Sequence, residues 1–66
     1  MRQRPSRTLR RRAALATIRE LRSTLKYIAD ELARADQPPA DRLRLIELQL
    51  RYAGRVARLG ATVAQD

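Results

Sequence analysis

From residue 14 onward the chain places apolar side chains at Ala14, Ile18, Leu21, Leu25, Ile28, Leu32 and Ala35. The steps alternate four and three, which is a heptad seam along one face of an α-helix. No proline or glycine interrupts residues 7–35, and Ala, Leu, Arg and Glu, all good helix formers, dominate there. Ser6 or Thr8 can cap this helix by accepting from its first free backbone N–H groups. Nothing of comparable length alternates with period two, so strands are not expected.

The run Asp36-Gln37-Pro38-Pro39-Ala40-Asp41 ends the pattern. A proline pair cannot continue a helix, because each lacks the N–H donor and clashes with the preceding turn. It can open the next one, where that donor is not needed. The expected fold is therefore all-α: an antiparallel hairpin of two long helices joined by a short turn. Helix 1 covers about residues 7–35, a Pro-Pro turn 36–40, and helix 2 about 40–64, with a flexible basic arm over 1–6 before them. Gly54 and Gly60 fall inside helix 2, and Gly60 is a candidate early end.

Helix 2 carries more apolar surface than one neighbour can cover. One stripe is Leu43, Ile46, Leu50, Ala53, Ala57 and Ala64; a second is Leu45, Leu48, Tyr52, Val56, Leu59 and Val63. Together they span an arc of roughly 220° on a wheel of 100° per residue, against the roughly 100° that one antiparallel helix hides. The second stripe, Leu45 to Val63, is assigned to a partner. A second copy of the hairpin, giving a four-helix bundle or a higher helical oligomer, is the simplest occupant. Docking on a larger protein is the alternative.

Length makes the same demand. A chain of 66 residues has a marginal core unless a disulfide, a metal or a second copy completes it. There is no Cys and no His, so a disulfide or zinc staple is not expected. The same absence, with no glycine-rich phosphate loop, argues against an enzyme and against a metal or other cofactor. The carboxylates read as helix caps and surface partners: Asp41 as an N-cap, Asp30 four before Arg34, and Glu47 four before Arg51.

Charge adds the functional direction. Fifteen basic residues against seven acidic ones give a net +8, and all but Lys26 of the basic residues are arginine. Arg2, Arg4, Arg7, Arg10, Arg11 and Arg12 stand in the first twelve positions with no acid among them. Such a segment suits phosphate, which the guanidinium fork pairs with two donors at a time. Arg12, Arg19 and Lys26 form a row at spacing seven on helix 1, and Arg51, Arg55 and Arg58 cluster with Arg44 in the polar wedge of helix 2. If both rows share one side, they make a continuous basic track for nucleic acid, DNA or RNA. The plainer reading is a solvated charged face with a solubilising tail. Tyr27 and Tyr52 are the only aromatics, too few for base-stacking platforms or for an interfacial membrane anchor.

No run of eighteen apolar residues exists, so no membrane span is expected, and a cytoplasmic setting fits. The acid-free stretch before Glu20, with Ser6, Thr8 and Thr17, also has the composition of a mitochondrial transit peptide, but its removal would leave too little chain to fold. The leading expectation is a non-enzymatic nucleic-acid-binding protein on an oligomeric helical scaffold. The alternative is an assembly component of a phage, plasmid or ribonucleoprotein particle. In length and layout alone the chain is similar to small dimeric plasmid copy-number regulators and to the helical-hairpin protein of the large ribosomal subunit, with no diagnostic string of residues shared.

Overall fold

The structure, a computed structural model, describes residues 7–65, and these form two helices packed against each other. Helix α1 spans Arg7–Leu32 and α2 spans Pro39–Gln65, each about 40 Å long. The six-residue connection returns the chain alongside itself, so the helices run antiparallel. The basic arm expected over residues 1–6, including Arg2, Arg4 and the candidate cap Ser6, lies outside the described residues.

The seam of α1 faces α2. Ile18 and Ile28 are its buried members, 8% and 3% exposed, and Ala14, Leu21, Leu25 and Leu32 are half-buried. Ala35 is exposed, because α1 stops at Leu32, three residues before the spacing would end it. The proline pair explains the early stop. Pro39 is already the first residue of α2, and the residue preceding a proline is held away from helical backbone. The reversal must then happen within Ala33–Asp36. It begins with a normal last helical bond, Ala33 N–H to the Ala29 carbonyl at 3.0 Å, and tightens with Arg34 N–H to the Glu31 carbonyl at 3.2 Å. No described residue needs a positive φ to close the turn.

Polar side chains hold this end together. Arg42 donates from Nη1 to the Leu32 carbonyl at 3.0 Å, satisfying a carbonyl that the end of α1 leaves free. Gln37 donates to Glu31 at 2.9 Å. Leaving the helix at Leu32 takes Arg34 away from Asp30, and the expected pair does not form. Arg34 instead meets Asp36 at 3.3 Å and Glu31 at 3.7 Å. Both ion pairs found among the described residues belong to Arg34, so the expected Glu47–Arg51 pair is not made either. Asp41 lies in the first turn of α2, where its charge complements the helix dipole, rather than at the cap position before Pro39.

Helix α2 shows the principal departure from expectation. The stripe assigned to a partner, Leu45, Leu48, Tyr52, Val56, Leu59 and Val63, is half-buried throughout. In a molecule of two helices, the face that loses solvent is the face turned to the other helix. The open apolar row is the other stripe: Leu43 is 63% exposed, Ile46 38% and Leu50 70%. Side-chain size explains the choice. The Leu45–Val63 stripe is large along its whole length, whereas the other falls to alanine after Leu50, so turning the first one inward removes more apolar area from water.

Helix α2 also continues through Gly60 to Gln65. Each glycine in a helix interior costs about 0.5–1 kcal/mol relative to alanine. A Cβ added at Gly54 would meet nothing within 4 Å. Gly54→Ala is therefore expected to stabilise the hairpin by about 0.5–1 kcal/mol, raising the thermal midpoint by several degrees in a circular-dichroism melt. A lower midpoint would mean that Gly54 is pressed against a surface absent from the single chain.

Candidate nucleic-acid interface

The side on which each basic row lies follows from helix handedness. Viewed from one end, residues of α1 advance clockwise and those of antiparallel α2 anticlockwise. Residues immediately after a seam position therefore share one side of the hairpin on both helices, and residues immediately before a seam position share the other. On α1 the residues after the seam are Leu15, Arg19, Arg22 and Lys26. On α2 they are Ile46, Gln49, Ala53, Ala57 and Gly60, with Leu50 farther round on the outer face. The residues before the seam include Glu20, Tyr27 and Glu31 on α1, and Arg44, Glu47, Arg51, Arg55 and Arg58 on α2.

The two cationic rows thus lie on opposite sides of the molecule, and the single continuous track that the sequence allowed is not formed. The Arg19–Arg22–Lys26 row borders the open apolar row of α2, and with Leu15, Ile18 and Ser23 it lines a shallow open groove. The Arg51–Arg55–Arg58 row stands across from Glu20.

What the fold does assemble is a charged end. Arg7 and Arg11 occupy the seam's own register, with Arg10 and Arg12 to either side, so the four wrap around the start of α1. All four are exposed, and the first turn of α1 holds no acidic residue. The antiparallel fold then lays the far half of α2 beside them. Taking residues 7–19 and 48–64 as the open half, Arg7, Arg10, Arg11, Arg12, Arg19, Arg51, Arg55 and Arg58 share those segments with no Asp or Glu, and Glu20 stands at their border, across from Arg51. The half nearer the turn, residues 20–47, carries Glu20, Asp30, Glu31, Asp36, Asp41 and Glu47 against Arg22, Lys26, Arg34, Arg42 and Arg44. The hairpin is polarised end to end: one half strongly positive, the other slightly negative.

A sequence scan sees the arginines of residues 7–12 as one cluster and those of 51–58 as another, nearly balanced by acids nearby. The fold sorts them by distance from the turn. The acid-free stretch from Leu48 to Ala64 was the available signal, and only the antiparallel return makes it add to the first cluster.

Tyr27 is largely exposed, and Tyr52 sits half-buried in the inner stripe. The threonine hydroxyls of Thr17, Thr24 and Thr62 donate back to their own helices, to the carbonyls of Ala13, Glu20 and Arg58 at 3.0–3.1 Å. Among the described residues no group of three or more His, Cys, Asp or Glu side chains is placed to hold a metal ion, and no helix is long and apolar enough to cross a membrane. Comparison with protein-family models, with curated proteins and with solved structures found no match to this chain.

Proposed function

We propose that this chain is a non-enzymatic, cytoplasmic nucleic-acid-binding protein that grips the phosphate backbone with its open end and works as a homo-oligomer. The observation that carries this reading is the end-to-end segregation of charge: among the described residues, segments 7–19 and 48–64, farthest from the turn, hold eight arginines and no Asp or Glu. The start of α1 adds the positive end of the helix dipole to Arg7, Arg10, Arg11 and Arg12. Cations there repel both the dipole and one another, a standing cost to the free protein that a polyanion removes. Solubility does not require concentrating charge in this way. Without base-reading or stacking groups beside the arginines, the mode is affinity for phosphate with little readout of sequence.

Titrating labelled duplex DNA and duplex RNA with the full chain at 50 and 200 mM salt tests this. Six or more phosphate contacts would weaken binding roughly a thousandfold across that range. The triple variant Arg10→Ala/Arg11→Ala/Arg12→Ala is expected to make the logarithmic salt slope shallower by about 3. Binding that is absent at 50 mM salt, or indifferent to salt, would refute the proposal. A second reading, an adaptor docked on a larger protein, draws on the exposure of Leu43 and Leu50.

A further inference from the structure

We propose that the open row of α2 is the contact with a second copy of this chain, and that the two α2 helices pack antiparallel about a two-fold axis between Leu50 and Ala53. The proposal rests on the self-association part of the reading above and gives it a face, a direction and a register. It is independent of nucleic-acid binding.

Four observations select this occupant. First, the row is itself a coiled-coil seam. Leu43, Ile46, Leu50, Ala53, Ala57, Gly60 and Ala64 step by three and four without a break, and none is charged. Such spacing fits a straight helix laid alongside, rather than a rounded surface. Second, the row is large in its first half and small in its second. An antiparallel copy sets Leu43 against Gly60, Ile46 against Ala57 and Leu50 against Ala53, and symmetry repeats each layer. Every layer then pairs one large side chain with one small, which is how close-packed interfaces interlock. A parallel copy would set leucine against leucine at one end and leave a gap between alanines at the other.

Third, charge favours the same direction. The antiparallel arrangement lays the arginine-rich open half of one hairpin beside the slightly acidic turn half of the other. The two basic ends come to rest at opposite extremities of the dimer, instead of bringing sixteen arginines together. Fourth, there is surface to cover. The chain exposes 5838 Å², against about 4,300 Å² for a compact globule of 7.6 kDa. Two parallel rods account for part of the difference, and the standard interface takes about 600–1,000 Å² from each copy. With Ile18 and Ile28 as the whole buried core among the described residues, the hairpin has little else to stabilise it.

The test is sedimentation equilibrium of the full chain without nucleic acid, so that failure of phosphate binding cannot affect the result. A dimer that persists from 50 to 500 mM salt is expected, since salt screens the repulsion between two cationic chains and leaves apolar contact intact. Ala53→Leu, at an exposed position of the single hairpin, sets leucine against the other copy's Leu50 and should raise the dissociation constant tenfold or more. Leu50→Ala/Ala53→Leu restores one large and one small side chain in that layer and should recover the dimer. Both variants keep good helix formers, and the helical circular-dichroism signal checks that they fold. A monomer at every salt concentration would overturn the proposal, leaving the row for a different protein. A dimer indifferent to Ala53→Leu, or a double variant that stays dissociated, would overturn the face and register.

Discussion

Ile28→Ala is expected to remove most or all of the stability of this protein, while Tyr27→Ala, one residue earlier, changes it little. Ile28 is 3% exposed and Tyr27 63%. Truncating a buried isoleucine costs about 2–5 kcal/mol, through lost transfer free energy and the cavity left behind. Cores of chains below about 70 residues rarely supply more than about 3–5 kcal/mol, so that one substitution consumes most of what there is. No neighbouring layer can collapse into the space, because the described core has only two buried side chains, and Ile18 lies about three turns away. A surface tyrosine outside the seam changes stability by about 0.5 kcal/mol or less. Thermal melts followed by circular dichroism at equal concentration decide the matter. Ile28→Ala should show a largely lost helical signal at 25 °C, and Tyr27→Ala should melt within a few degrees of the native chain. If Ile28→Ala melted alongside Tyr27→Ala, the seam of α1 would not be what holds the helices together.

That seam is legible in the sequence because only one stripe on α1 meets the spacing. From Ala14 to Leu32 every member loses solvent, and none competes with a second apolar face. The end of α1 was less legible. Ala33, Arg34 and Ala35 are good helix formers, and nothing local stops them. The stop is imposed by Pro38 and Pro39 ahead, which force the reversal to begin early, and by Arg42, which meets the Leu32 carbonyl from ten residues away. Periodicity along one helix carries no information about such a partner.

On α2 the two stripes share the same spacing, so periodicity is silent about which turns inward. Side-chain volume decides it, and volume was readable: Leu45, Leu48, Tyr52, Val56, Leu59 and Val63 are all large, while the other row ends in alanine and glycine. The placement of the basic residues follows from this inversion. Once Val56 and Tyr52 face α1, handedness puts Arg51 and Arg55 on the side away from Arg19 and Lys26, and the expected single track gives way to a charged end.

Val56→Asp and Leu50→Asp should therefore fail in different ways. Val56 is half-buried against α1 within the chain, so a carboxylate there loses apolar contact and is desolvated without a partner. The cost, on the order of several kcal/mol, belongs to the hairpin itself and should abolish helix at every protein concentration. Leu50 is 70% exposed in the single chain, so the hairpin does not sense aspartate there. Its cost arises only where a second copy would have covered it. At concentrations where the native chain is dimeric, Leu50→Asp should melt well below it. On dilution the two melting curves should converge as the native chain dissociates, because the midpoint of an associating fold depends on concentration and that of a monomer does not. The reverse pattern, with Leu50→Asp unfolded at all dilutions and Val56→Asp sensitive only at high concentration, would place the Leu43–Ala64 row inside and return the Leu45–Val63 stripe to the partner.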